Sequence, residues 1–190
     1  MEKKKLSQDI NFSTLKIVSN LLQDVEYCVF FGTALGLCRD NNVIKGDDDI
    51  DLLLHSKDSK QVHKIFTNYG FKPKIILPGI FCQYIRLIED EMESPIDLYF
   101  FTDYDDDNIV EKWNFRGEYH KADKHLIIPK KMIYPIQNKS IRGVEVKSPF
   151  DLVAVSKFLY GKRYKEPLIK DVDYRLETIN NKPQITYLSD

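Results

Sequence analysis

Apolar residues recur at helical spacing through Ile10, Leu15, Val18, Leu21 and Leu22, which predicts a helix ending near Asp24. The period then changes. Tyr27-Cys28-Val29-Phe30-Phe31 is a compact β-prone run, read as a buried strand. Gly32-Thr33 breaks it and starts a short helix through about Asp40. From Asp48 to Leu54 the pattern alternates: Ile50, Leu52 and Leu54 point one way, Asp49 and Asp51 the other. Val62, Ile65, Phe66 and Tyr69 mark an amphipathic helix closed by Gly70. Lys74–Leu77 and Phe81–Ile88 read as strands, the second pairing with Ile96–Phe101 across an acidic turn from Glu89 to Pro95. Asp103 to Asn108 forms an acidic loop, and the stretch to about Lys131 is irregular or short β-structure. Ile141–Val146 alternates like a strand. Ser148 as N-cap, Pro149 at the first helical position and Asp151 in the first turn open a last helix, which runs to about Tyr160 and stops at Gly161. The polar residues beyond it are expected to fray.

With 190 residues, 43% of them hydrophobic and 30% charged, the chain is expected to fold as one domain spanning 1–190. Lys and Arg total 28 against 29 Asp and Glu, a balance that argues against a dedicated nucleic-acid binder. Cys28, Cys38 and Cys82 stand alone in apolar stretches with no C-x-x-C spacing, as in a cytoplasmic protein with reduced thiols. Met1-Glu2-Lys3-Lys4-Lys5-Leu6 is not followed by a signal-peptide core, and no stretch reaches transmembrane length. Any contact with a membrane is expected to be peripheral.

The carboxylates carry the candidate chemistry. Asp49 and Asp51 share a strand face, where without a cation they would repel and raise each other's pKa. A hard divalent ion resolves that conflict, and oxygen ligands favour Mg2+ or Mn2+. Asp47 joins the same face if the strand begins early. Asp97, between Ile96 and Leu98, is a third carboxylate from a neighbouring strand. The bland reading of any such run is a solvated acidic turn, and it is the one adopted for Asp103 to Asp107; the EF-hand spacing of Gly and terminal Glu is missing. Gly32 permits close approach of a phosphate at a helix N-terminus, and Thr33 adds a hydroxyl. Arg39, at the far end of that helix, is open to two roles, a phosphate contact or a salt bridge to the acidic strand.

Gly32-Thr33-x-x-Gly36-x-x-Arg39 followed by Ile44-x-x-Asp47-Asp48-Asp49-Ile50-Asp51 resembles the signature of the LicD family, which includes phosphorylcholine transferases and the catalytic domains of fukutin and fukutin-related protein. Ile96-Asp97-Leu98 resembles the family's later strand aspartate, and Tyr160-Gly161 with Pro167 its C-terminal element. The resemblance thus runs from about Phe31 to Pro167. It implies an α/β (α+β) nucleotidyltransferase-like fold, a mixed β-sheet flanked by helices. It further implies transfer of a phosphorylated alcohol from a CDP-linked donor to a sugar hydroxyl of a surface glycan or glycolipid. By the same resemblance Asp49, Asp51 and Asp97 would ligate metal, Asp47 would lie near it as an additional acidic residue, and Gly32, Thr33 and Arg39 would line the phosphate side. Two departures stand out. Lys45-Gly46 occupies the place of the family's usual Pro-Trp, and the cysteine-rich zinc element of some animal relatives is missing. Choline, glycerol, ribitol and ethanolamine phosphate are therefore comparable as the transferred group.

Tyr84, Tyr99, Trp113, Phe115 and Tyr119 are candidates to stack a cytosine or box a quaternary ammonium, with core packing as the competing role. Lys157, Lys162, Arg163 and Lys165 form a basic patch around the last helix. Two other classes compete with the leading one: a nucleotidyltransferase that moves NMP from an NTP, and a non-catalytic, antitoxin-like protein of the same fold. The intact Asp49/Asp51 pair argues against the last.

Overall fold

The computed structural model describes residues 8–88, 92–114 and 116–188. Its elements in chain order are α1 (Gln8–Leu21), β1 (Tyr27–Val29), α2 (Phe31–Arg39), β2 (Ile50–His55), α3 (Ser59–Asn68), β3 (Lys72–Leu77), β4 (Phe81–Leu87), β5 (Glu93–Asp103), β6 (Asn108–Glu111), β7 (Leu126–Pro129), α4 (Lys130–Ile133), β8 (Gln137–Ile141), β9 (Val144–Ser148), α5 (Leu152–Tyr160), β10 (Tyr174–Ile179) and β11 (Lys182–Tyr187). Five strands lie in the order β1-β2-β5-β4-β3, and β6 and β7 extend the sheet beyond the second half of β5. Among the described residues of this sheet, the β2–β5 pair is parallel and the other pairs are antiparallel. This is the mixed sheet flanked by helices that the sequence implied.

Strand alternation sorts two cores onto the two faces of the sheet. Ile50, Leu52 and Leu54 of β2 and Ile96, Leu98 and Phe100 of β5 pack with Phe12, Leu15 and Val18 of α1 and with Val62 and Phe66 of α3. On the other face Leu53, Tyr99, Phe101 and Phe81 meet Val155 and Leu159 of α5 and Ile133 of α4. The acidic residues of β2 and β5 fall on this second face, where helical cover is incomplete.

Several local expectations are corrected. Phe31 is not in the strand: it is the first residue of α2, with φ of 33°, so the helix begins before Gly32. β2 starts at Ile50, not Asp48. The alternation at 141–146 belongs to a hairpin, β8–β9, whose turn is Arg142-Gly143, both at positive φ. The cap of α5 is Asp151, whose Oδ1 accepts from the Ala154 N–H at 2.8 Å, and not Ser148. Residues 174–187 do not fray. Tyr174–Ile179 and Lys182–Tyr187 pair as a hairpin that packs on α5, because Leu176, Thr178 and Tyr174 alternate inward. The β4–β5 hairpin forms as expected, although residues 89–91 of its turn lie outside the described residues, as do the Met1–Leu6 segment and Phe115.

Candidate metal and phosphate site

The parallel register of β2 and β5 sets Asp51 directly beside Asp97, and the antiparallel register of β5 and β4 sets Gln83 on the far side of Asp97. All three side chains therefore point to one face. Asp51 is fixed on every side by the segment after β1. Its N–H donates to Thr33 Oγ1 at 2.9 Å, its carbonyl accepts from Phe30 N–H at 2.9 Å, and its Oδ2 accepts from Gly32 N–H at 2.8 Å. Gln83 Nε2 donates to Asp97 Oδ1 at 2.8 Å. Asp49 sits one residue before β2, and Asn11 Nδ2 on α1 holds this approach by donating to the carbonyls of Asp49 at 3.0 Å and Asp47 at 3.5 Å. Carboxylate oxygens of Asp49, Asp51 and Asp97 lie within 4.8 Å of one another, and so do those of Asp47, Asp48 and Asp49.

Asp51 is 5% exposed and Asp97 8%. Burial comes first in pushing Asp49 and Asp51 well above the ordinary carboxylate range, followed by repulsion from neighbouring aspartates, Asp47 foremost for Asp49 and Asp49 foremost for Asp51. Burial and the Asp48 charge bring Asp47 up to about 6. Burial brings Asp97 to about 6 as well, against the opposing hydrogen bond from Gln83. Carboxylates this close cannot all ionise at neutral pH without a counter-charge. The donor set is wholly oxygen, which suits a hard divalent cation and not zinc. Gly32 forms the cradle behind these oxygens. A Cβ there would stand 2.9 Å from Asp47 Oδ2 and 3.2 Å from Asp51 Oδ2, so space, not backbone conformation, requires glycine. These residues fit a divalent metal.

The carboxylates open into a cleft bounded on one side by Gly32, Arg39 and the 40–48 loop, and on the other by Tyr160 and residues 167–170. Asp47, Asp49, Asp51, Gly32 and Arg39 all line it. Thr33 does not: its hydroxyl is buried and engaged by Asp51. The Gly32 N–H is likewise committed to Asp51. Arg39 makes a forked pair with Asp40, Nη2 to Oδ2 at 2.7 Å and Nε to Oδ1 at 2.9 Å, and Nη1 reaches the Glu166 carbonyl at 3.4 Å. Its partner is thus Asp40 and not the acidic strand.

The aromatic candidates divide. Tyr99 reaches the cleft, and burial followed by the Asp51 charge drives its hydroxyl well up. Tyr84 lies on the opposite face, fully buried under α3, with its hydroxyl 2.7 Å from His63 Nδ1. Trp113 stacks on Phe81 at 4.4 Å and on Tyr119 at 5.8 Å. The Asp103–Asn108 loop is structural. Asp105 Oδ1 accepts the N–H groups of Asp107 and Asn108, and Lys130 pairs with Asp103 at 2.8 Å.

Sequence reasoning missed Asn11 and Gln83. Both had signals. Asn11 interrupts the apolar stripe Leu15, Val18 and Leu22 at helical spacing, so a buried polar role was readable. Gln83 stands in an apolar strand, but only the register with Asp97 reveals its partner.

The family model for the LicD/FKTN/FKRP nucleotidyltransferase domain matches residues 24–151. The chain belongs to this family. The match places the LicD-type domain over the acidic segment, both aspartate strands and Gly32, and stops at the N-cap of α5. No curated protein matches by sequence. Among solved structures, a lincomycin-bound lincosamide antibiotic adenylyltransferase, LnuA, is similar with a TM-score of 0.51 at 12% identity, covering 77% of this chain and 82% of that one. An antigenic nucleotidyltransferase-like protein from Paracoccidioides brasiliensis aligns at 0.46 and 18% identity, covering 76% and 62%. A putative nucleotidyltransferase from Thermotoga maritima aligns at 0.45 and 10%, covering 78% and 83%. The LnuA likeness shows the fold, and family and fold together support a transferase. Among the described residues no helix is long and apolar enough to cross a membrane.

Proposed function

We propose that this LicD-family domain transfers a phosphorylated small alcohol from a CDP-linked donor to a sugar hydroxyl. The observation that carries the reading is the Asp51–Asp97 register pair, joined by Asp49, with Asp49 and Asp51 lining an open cleft. Asp49, Asp51 and Asp97 would hold Mg2+ or Mn2+, with Asp47 beside them. When bound, such an ion neutralises phosphate charge and favours the deprotonated form of a nearby hydroxyl. Asp51 contributes an oriented oxygen: Phe30 and Thr33 hold its backbone, and the Gly32 N–H on Oδ2 holds its carboxylate. Asp97, turned by Gln83, orients the acceptor hydroxyl and takes its proton. The acceptor oxygen then bonds to the phosphorus of the transferred group as the bond to the CMP oxygen breaks, and CMP leaves with its electron pair.

The acceptor is a glycan or glycolipid in this reading, met from solution or from the surface of a membrane. The test is CMP release. Purified protein is incubated with Mg2+, a sugar acceptor and CDP-choline, CDP-glycerol, CDP-ribitol or CDP-ethanolamine in turn. Acceptor-dependent CMP from one of them supports the proposal. Pyrophosphate release from an NTP, with no CMP from any CDP-alcohol, refutes it in favour of nucleotidyl transfer.

A further inference from the structure

After α5 ends at Gly161, the chain crosses the mouth of the cleft before it enters β10. This strap is built, not loose. Ile169 N–H donates to Asp173 Oδ2 at 2.7 Å, Asp173 N–H returns to the Ile169 carbonyl at 2.7 Å, and Asp171 N–H donates to the Tyr174 carbonyl at 2.7 Å. The three bonds close a tight turn over 169–174 with Lys170 at its head. Lys170 lines the same cleft as Asp47, Asp49 and Asp51. Among the described residues no carboxylate comes within 4.0 Å of its ammonium. Two other cations line the cleft: Arg39 is spent on Asp40 and the Glu166 carbonyl, and Lys45 stands on the 40–48 loop beside Asp47 and Asp48, not on the strap.

A cleft lined by Asp47, Asp48, Asp49 and Asp51 repels a diphosphate. A divalent ion held by Asp49, Asp51 and Asp97 would offset part of that charge, and phosphate oxygens turned away from the carboxylates need a further donor. A flexible ammonium near the carboxylates, yet not paired with one, meets that need. We propose that Lys170 is a phosphate-binding residue, holding the phosphate chain of the nucleotide-linked donor against the Asp49–Asp51–Asp97 face. The inference rests on the donor reading above, and it assigns the contact to a segment beyond the 24–151 family match.

The experiment measures Kd by calorimetry in Mg2+ for CDP, cytidine and inorganic pyrophosphate, in wild-type protein, Lys170→Met and Lys170→Arg. The expected result is that Lys170→Met weakens CDP and pyrophosphate about tenfold or more, leaves cytidine unchanged, and that Lys170→Arg restores most of the loss. Thermal midpoints should coincide, because the side chain is exposed. Unchanged CDP and pyrophosphate binding in Lys170→Met overturns the proposal. An equal loss for cytidine also overturns it, since a merely structural role moves all three. If wild-type protein binds pyrophosphate in a Lys170-dependent way but binds no CDP, the CDP-donor reading fails while the phosphate contact stands.

Discussion

Asp97→Asn should stabilise the metal-free protein while it disables transfer. The substitution is nearly isosteric, and an amide oxygen at this position still accepts the Gln83 hydrogen bond. What it removes is a buried charge beside Asp51 and Asp49. Burial brings the Asp97 carboxyl up to about 6 from an ordinary 3.8. Because the folded-state pKa is the higher one, the folded protein holds more protons between those values. Asp97 therefore opposes folding progressively as pH rises from about 4 through 6, and its full cost is present above that window. The gap from 3.8 to about 6, at about 1.4 kcal/mol per pH unit, is roughly 3 kcal/mol at pH 7.5. At pH 4.5 the folded carboxyl is almost wholly protonated and the same relation leaves about 1 kcal/mol. Urea unfolding of wild type and Asp97→Asn in chelator, at both pH values, reads the difference directly. The variant should be the more stable by about 3 kcal/mol at pH 7.5 and by about 1 kcal/mol at pH 4.5. Added Mg2+ should raise the wild type more than the variant. Equal stability at pH 7.5, or a gain that does not change with pH, would refute the electrostatic account of this site.

The remaining expectations concern the scaffold of the site. Gly32→Ala should fold but lose about a hundredfold or more in CMP release, since its Cβ must displace the Asp47 and Asp51 oxygens that lie 2.9 and 3.2 Å from it; unchanged turnover would show that the cradle does not matter. Asn11→Ala should destabilise the fold by about 1–3 kcal/mol and raise the Mg2+ concentration needed for half-maximal activity, as measured by urea unfolding and metal titration, because it leaves the carbonyls of Asp47 and Asp49 without their donor. Activity should vanish on chelation, return with Mg2+ or Mn2+, and not return with Zn2+; full activity after exhaustive chelation would remove the metal from the reaction.

Much of this arrangement was legible in the chain because it follows from local periodicity. The alternation Ile50-Asp51-Leu52 separates a carboxylate face from an apolar face whatever the strand pairs with, and the helix at 62–69 and the 81–101 hairpin rest on the same short-range logic. What was hidden depends on pairing across long separations. The register of Asp51 with Asp97 joins strands more than forty residues apart, and the Gln83 contact exists only once β4 docks on β5. Thr33 illustrates the converse. A hydroxyl after a glycine reads equally well as a phosphate ligand or as a strut, and only the bond from Asp51 N–H, with full burial, assigns it the second place. Likewise the C-terminal hairpin was read as polar tail because its inward residues, Tyr174, Leu176 and Thr178, are too few to outweigh the charged residues between them.

The physical logic of the site lies in the opposition between its two faces. Left to themselves, Asp47, Asp49, Asp51 and Asp97 push one another apart, and each that ionises opposes folding. They are held together because the same strands carry Ile50, Leu52, Leu54, Ile96 and Leu98 on the reverse face, all buried under α1 and α3. Those side chains determine the register, and a one-residue slip of β2 against β5 would turn Ile50, Leu52 and Leu54 to the wrong side. Hydrophobic packing on one face thus fixes the spacing of carboxylates on the other to within the reach of a single ion. A sequence optimised for stability alone would place asparagine or an apolar residue at 97. The retained carboxylates are intelligible as a site that becomes electrostatically comfortable only when metal and a phosphate-bearing substrate arrive together.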